Sequence, residues 1–269
     1  MSHNESGGPV RLEGLRLVFF AGTPDERVAL DDLSLTLDPG DFTVVIGSNG
    51  AGKSTMLNVI AGSIRPDRGT VSLDGVDVTA MPVHRRANFI GRVFQDPMVG
   101  TAPALTIEEN LALAAMRGRG RGFRLALDTG KRRRFAEQLE PFGLGLESRM
   151  GAAAGLLSGG QRQVLALLMA SFNRPRILLL DEHTAALDPG TAALVMNATR
   201  RIVAEAGLTV LMITHNMKQA IDFGNRLLAM DAGRVKLDIA GDAKAALTVA
   251  DLVRRFGGES DQILLQRDA

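Results

Sequence analysis

Residues Gly47–Thr55 read GSNGAGKST and fit the spacing GxxxxGK(S/T) through Gly47, Gly52, Lys53 and Ser54. The apolar run Phe42–Ile46 leads in, and Met56, Leu57, Val59 and Ile60 follow at helical spacing. Strand, glycine loop and helix, in that order, is the context in which this motif cradles phosphates. Gly47, Gly50 and Gly52 let the backbone curl so that N–H groups converge, and the positive end of the next helix adds to them. Ser48, Asn49, Ala51 and Thr55 complete the cradle. Lys53 can reach the β- and γ-phosphates, and the Ser54 hydroxyl can ligate Mg²⁺. A plain glycine turn explains the glycines but not Lys53 and Ser54 behind them. The stretch implies a bound nucleoside triphosphate.

Ile177–Glu182 (ILLLDE) is a buried strand that ends in two acids. In doubly wound sheets ligands bind at the carboxyl ends of strands. Asp181 is placed to hold Mg²⁺, directly or through water, and Glu182 to polarise a water that attacks the γ-phosphate. The bland alternative is a strand with a solvated acidic end.

The chain has 269 residues, enough for one or two domains, and a net charge of +1. That balance gives no global field for nucleic acid, and the lack of Trp and Tyr leaves few stacking platforms, so nucleic acid is an unlikely partner. Cysteine is absent, which excludes disulfides and thiolate metal sites. MSHNESGGPV lacks the pattern of a signal peptide, and no apolar run approaches a membrane span. The expectation is a chain soluble by itself.

Strands are expected at Val10–Phe20, Leu33–Leu37, Phe42–Ile46, Ile90–Phe94, Ile177–Asp181, Thr209–Thr214 and Leu227–Met230, with Asn173–Pro175 also in strand grammar. Asp74–Gly75 between Thr70–Leu73 and Val76–Val78 predicts a hairpin. Thr106 with Glu109 predicts a capping box before a helix over Ile107–Met116. Further helices are expected over Arg133–Phe142 and Thr191–Ala206, and Thr248 with Asp251 caps a last one. Arg117–Arg134 carries eight basic residues and four glycines. Three readings stay open for it: a solvated face, a contact with anionic lipid, and, weakest, a nucleic-acid site.

Leu157–Gln163 reads LSGGQRQ. Here the chain resembles the ATP-binding-cassette (ABC) ATPases over nearly its whole length. The matching order is the phosphate loop, Gln95, Leu157–Gln161, Asp181–Glu182, Ala186–Asp188 and His215. The resemblance implies an α/β fold: a P-loop NTPase (RecA-type) core with an antiparallel β subdomain and an inserted α-helical subdomain. One domain would span 10–256, its core 10–95 and 163–240, the helical part about 96–162 and a C-terminal helix 248–256. Residues 1–9 and 257–269 would be flexible ends.

The resemblance further implies ATP hydrolysis with ATP and Mg²⁺ in a head-to-tail homodimer. Ser158, Gly159, Gly160 and Gln161 of one copy would cover the nucleotide on the other, and these small residues open a second helix suited to phosphate. Gln95 would sense Mg²⁺ and the attacking water, His215 would bond the γ-phosphate and orient Glu182, and Asp188 would couple the two sites. Phe19 matches the adenine-stacking ring, with a core role as its rival. Work on a solute would pass to integral membrane permease subunits and indirectly involve a solute-binding protein. Met98, Val99, Thr101, Ala102 and Leu105 suit such a docking loop, or else core packing. The chain would lie in the cytoplasm, peripheral on the inner face of the cell membrane.

GTPDE, VFQDPMVGTAP and LDEHTAALDP resemble an importer-type group for tryptophan, tyrosine or related solutes. The alternatives are a soluble ATP-driven clamp or remodelling factor, and the ATPase of a separate-chain exporter. One departure stands out: His183 occupies the place where many members carry proline. Either it adds a group that titrates near neutral pH, or it marks a subfamily.

Overall fold

The computed structural model describes residues 8–118 and 128–256. The strands in chain order are β1 (Val10–Phe19), β2 (Arg27–Leu37), β3 (Phe42–Ile46), β4 (Arg68–Leu73), β5 (Val76–Asp77), β6 (Ile90–Val93), β7 (Ile177–Asp181), β8 (Val210–Ile213), β9 (Arg226–Asp231) and β10 (Arg234–Ala240). The helices are α1 (Lys53–Ala61), α2 (Val83–Arg86), α3 (Ile107–Ala115), α4 (Thr129–Leu139), α5 (Gly159–Ser171), α6 (Pro189–Ala206), α7 (Met217–Asp222), α8 (Gly241–Ala245) and α9 (Val249–Phe256). The chain divides into two compact units, one of Met1–Arg86 with Leu208–Ala269 and one of Ala87–Gly207.

In the first unit β1 lies antiparallel between β2 and β4, and β5 folds back on β4. Alternation drives this sheet: Val10, Leu12, Leu15 and Leu17 are buried while residues between them face outward. Asp74 and Gly75 both take positive φ, as the predicted hairpin requires. In the unit's other sheet, β3 runs parallel to both β8 and β9, and β10 pairs antiparallel with β9. Val44 and Val45 of β3 and all of β8 are fully buried, so these strands read as unbroken apolar runs. Strand β10 is not among those expected from the sequence. Only Ile239 of this strand is buried, so an apolar signal is weak and pairing with β9 holds it.

In the second unit β6 and β7 form a parallel pair. Helices α3, α4 and α5 enclose a core that includes Ile107, Leu111, Phe135, Leu139 and Leu165. The Phe135 and Phe172 rings meet edge to face at 5.4 Å. Thr106 and Glu109 form the expected capping box. Helix α4 starts earlier than predicted, because Asp128 caps it by accepting from the Lys131 N–H. Leu139 is followed by a 3-10 turn over Glu140–Phe142. Asn173–Pro175 is not strand; Arg174 takes φ 46° there and Asn173 is bonded to the carbonyls of Ala114 and Arg117.

In the described part of the basic stretch Arg132, Arg133 and Arg134 are exposed, while Arg117 is tied to the interior of its unit. Arg117 donates to the carbonyls of Met169 and Ile90, and burial lowers its pKa. Arg132 grips both carboxylate oxygens of Glu108, and Arg133 pairs with Glu137. Residues 119–127 of the stretch lie outside the described residues. No helix among the described residues is long and apolar enough to cross a membrane.

Candidate nucleotide site

In the first unit the phosphate loop leaves the carboxyl end of β3 and enters α1. Gly47 takes φ 149°, and a Cβ there would collide with the Met230 carbonyl of β9. Gly52 is the N-cap of α1, so no side chain caps the helix, and no acidic residue sits in its first turn. The helix therefore presents its amide dipoles and a positive end uncovered by side-chain oxygens. Lys53 is 7% exposed, and its Nζ donates to the carbonyls of Gly47 at 2.5 Å and Ser48 at 2.9 Å. This bracing holds the ammonium over the loop. Ala51 is buried, and Ser54 is exposed at the helix mouth.

His215 comes to the same sheet edge. Val45 of β3 is in register with Ile213 of β8, so Gly47 and His215 each lie two residues beyond one paired rung. The His215 loop is pinned on both flanks. The Thr214 N–H donates to the Val45 carbonyl, and Asn216 caps α7 through the Gln219 N–H. Phe19 ends β1 half-buried, while Phe20 beside it takes φ 55° and is 69% exposed. Phe19 pairs with Arg27, whose Nη2 donates to the Gly50 carbonyl at 3.2 Å. Arg27 thus links the aromatic edge to the phosphate loop, a role that no local sequence pattern marks.

In the second unit, Val93 pairs with Leu180, so Gln95 and Glu182 also lie two residues beyond one rung. Gln95 is exposed. Its neighbour Phe94 is held by Gln163, a residue of α5 that is 1% exposed and whose Nε2 donates to the Phe94 carbonyl. Asp181 forms an ion pair with Arg92 at 3.2 Å, and the Arg92 guanidinium lies over the Phe94 ring at 4.7 Å. Glu182 takes φ 44°, and its carbonyl accepts from the Ala185 N–H in a tight turn.

The signature loop begins α5 with a second capping box. Ser158 accepts from the Gln161 N–H, and the Gln161 side chain accepts from the Ser158 N–H. A Cβ on Gly160 would strike the Thr191 side chain of α6, so the helices meet there without one. Arg162 is 8% exposed and donates to the carbonyls of Ala154, Gly155 and Leu157, fastening the chain that enters the loop. Asp188 caps α6 through the Thr191 N–H; bonds from Thr191, led by its side chain, hold the Asp188 carboxyl below the usual range.

His183 is 2% exposed, and burial pushes its pKa down to about 4. Of the two readings of His183, a group that titrates near neutral pH does not fit this burial. Met98 and Val99 are exposed, whereas Thr101, Ala102 and Leu105 are half-buried and Asn110 holds Ala102 by both backbone groups.

The groups the sequence pointed to for Mg²⁺, the Ser54 hydroxyl, the Gln95 amide and the Asp181 carboxylate, are oxygen donors that fit a hard cation. Among the described residues no cluster of three His, Cys, Asp or Glu could hold a metal. Mg²⁺ held largely by phosphates and water needs only one or two carboxylates; Ser54 belongs to the first unit, Gln95 and Asp181 to the second.

A strand–glycine loop–helix phosphate cradle in an α/β scaffold defines a P-loop nucleoside triphosphatase. The chain belongs to the ABC transporter family, whose sequence pattern matches residues 30–185. It is 42% identical over 232 residues to a tyrosine transport ATP-binding protein of Clostridioides difficile, covering 86% of this chain and 92% of that one. It is 36% identical to a phosphonates import ATP-binding protein of Frankia casuarinae, covering 91% and 96%. Among solved structures it resembles a dimeric ATP-binding cassette in a post-hydrolysis state bound to ADP and Pi, with TM-score 0.72, 31% identity and coverage of 86% and 98%. It also resembles the ADP conformation of an ABC transporter cassette, with TM-score 0.76, 26% identity and coverage of 94% and 98%. The chain is an ATP-binding and ATP-hydrolysing subunit of that family.

Proposed function

We propose that this subunit powers uptake of a small solute of the aromatic amino-acid class through separate permease subunits. The observation that carries the solute class is the near full-length likeness to a tyrosine transport ATP-binding protein. A nucleotide-hydrolysing subunit does not itself select the solute, so the test belongs to the assembled transporter. Reconstituted with its permease and solute-binding protein, the complex should hydrolyse ATP faster when tyrosine or tryptophan is supplied. Equal rates with and without either amino acid would refute the solute class.

Two copies of the chain pair head to tail around two ATP molecules. Gly47–Thr55 wraps the phosphates, with Lys53 pairing to the β- and γ-groups and Phe19 stacking on adenine. Ser54 and Asp181, with Gln95, would hold Mg²⁺, which when bound would supply positive charge against the phosphate oxygens. Glu182 takes the proton from the attacking water, and His215 bonds the γ-phosphate. Ser158, Gly159, Gly160 and Gln161 of the partner copy close over it, and Asp188 couples the two sites. Hydrolysis removes the γ-phosphate contacts that hold the copies together. Met98 and Val99, exposed after Gln95, supply an apolar contact for the permease. That attachment places the subunit in the cytoplasm, on the inner face of the cell membrane.

A further inference from the structure

His183 is a buried polar side chain next to the proposed base, and no step assigned above uses it. Its Nε2 lies 3.1 Å from Thr199 Oγ1 of α6, and Thr199 is itself fully buried. The Thr199 hydroxyl proton is already engaged, since Oγ1 donates to the Val195 carbonyl at 2.9 Å. A hydroxyl has one proton, so towards His183 the oxygen accepts, and the ring donates from Nε2–H.

The adjacent Glu182 needs such an anchor. Its φ of 44° is in the left-handed region, which is unfavourable for a residue with a side chain. The turn itself and the neighbouring side chain both constrain it. The Ala185 N–H closes the turn onto the Glu182 carbonyl, and the next side chain is fixed to α6. Helix α6 is also the helix that Asp188 caps, so the short chain between β7 and α6 is tied at both ends. Without the second tie, Glu182 can relax towards ordinary backbone and its carboxylate moves.

We infer that His183 is a positioning residue for hydrolysis, and that its Nε2–H bond to Thr199 holds Glu182 in the left-handed turn that aims the carboxylate at the attacking water. This rests on Glu182 being the general base.

The test is ATP turnover by the full chain in the assembled transporter. His183→Leu keeps bulk without the N–H and should lower kcat roughly 10- to 100-fold, as a misplaced catalytic group does, with KM for Mg-ATP within about twofold. Thr199→Val removes the acceptor at nearly constant shape and should give the same loss. His183→Gln puts an amide N–H near the Nε2 position and should restore kcat to within about threefold, whereas His183→Asn, with its donor too short, should not.

A second arm separates aim from general stability. On a Glu182→Gln background, His183→Leu should not lower the residual rate further, because no base remains to aim. The inference is overturned if His183→Leu and Thr199→Val, both folded by a cooperative melt, turn over at the parental rate. It is equally overturned if His183→Gln is as slow as His183→Leu, or if the Glu182→Gln background loses the same factor again. A Glu182→Gln chain that hydrolyses at the parental rate would refute the base assignment itself, a different failure.

Discussion

Helices α1 and α5 both start at glycine-containing loops, and they treat their first turns in opposite ways. At α1 the cap is Gly52, and no side chain covers the amides. At α5 the cap is Ser158, and Ser158 and Gln161 satisfy each other's backbone N–H groups. The first arrangement leaves donors for a ligand, while the second occupies two of them with the chain's own oxygens. The contrast extends through the two units. In the first, Lys53 is braced by loop carbonyls over an open helix end. In the second, polar groups are tied to one another: Asp181 to Arg92, Asp188 to Thr191, His183 to Thr199. Glycine geometry shapes the phosphate loop in one unit, while polar groups of the other are fixed by internal bonds. Under the proposed function the first holds the nucleotide and the second acts on it.

The sharpest way to separate holding from aiming is Glu182→Gln. Loss of a general base should cut turnover by about 10²- to 10⁴-fold while ATP affinity stays within about twofold. A comparable fall in affinity, read by titration with labelled nucleotide, would erase the distinction.

The next effect concerns the buried ring. With the folded pKa of His183 at about 4 against about 6.5 when unfolded, only the unfolded chain takes up the proton as pH falls below about 6.5. Stability is therefore full above that pH and declines towards pH 4, by about 3 kcal/mol in all from this group. Chemical denaturation of the nucleotide-free chain should show a steeper acid loss than that of His183→Gln; identical pH profiles would mean the ring is not buried as described.

Lys53→Ala should weaken ATP binding roughly 10- to 100-fold, the size of a lost bond to a charged group. Ser158→Ala, by contrast, should leave binding to an isolated copy unchanged. If both variants lose affinity equally, the two helix ends are not different in kind. The smallest effect is on stability: Ser158→Ala removes a cap and should cost about 1 kcal/mol, visible as a lower denaturation midpoint.

Much of the candidate site was legible because its proposed parts are contiguous. Gly47–Thr55 and Leu157–Gln163 encode a loop and the helix behind it in one short run, and local backbone demands select glycine, serine and lysine there. The hairpin at Asp74–Gly75 and the box at Thr106–Glu109 were readable for the same reason. What escaped lies in pairs far apart along the chain. Arg92 reaches Asp181 only because β6 and β7 run parallel in one register, and Gln163 finds the Phe94 carbonyl only because α5 packs against β6. Arg27 meets Gly50 across a loop that the sequence presents simply as a turn.

His183 shows the division most clearly. By composition it is an imidazole beside two acids, a group expected to titrate near neutrality. Burial and a bond to Thr199, sixteen residues on, make it a neutral donor instead. The sequence by itself determined which residues can hold phosphate and which can take a proton, since those properties reside in side-chain chemistry and local backbone freedom. Only the tertiary structure decided which of them are braced, paired or stripped of solvent, because desolvation and register are set by neighbours brought together when the chain folds.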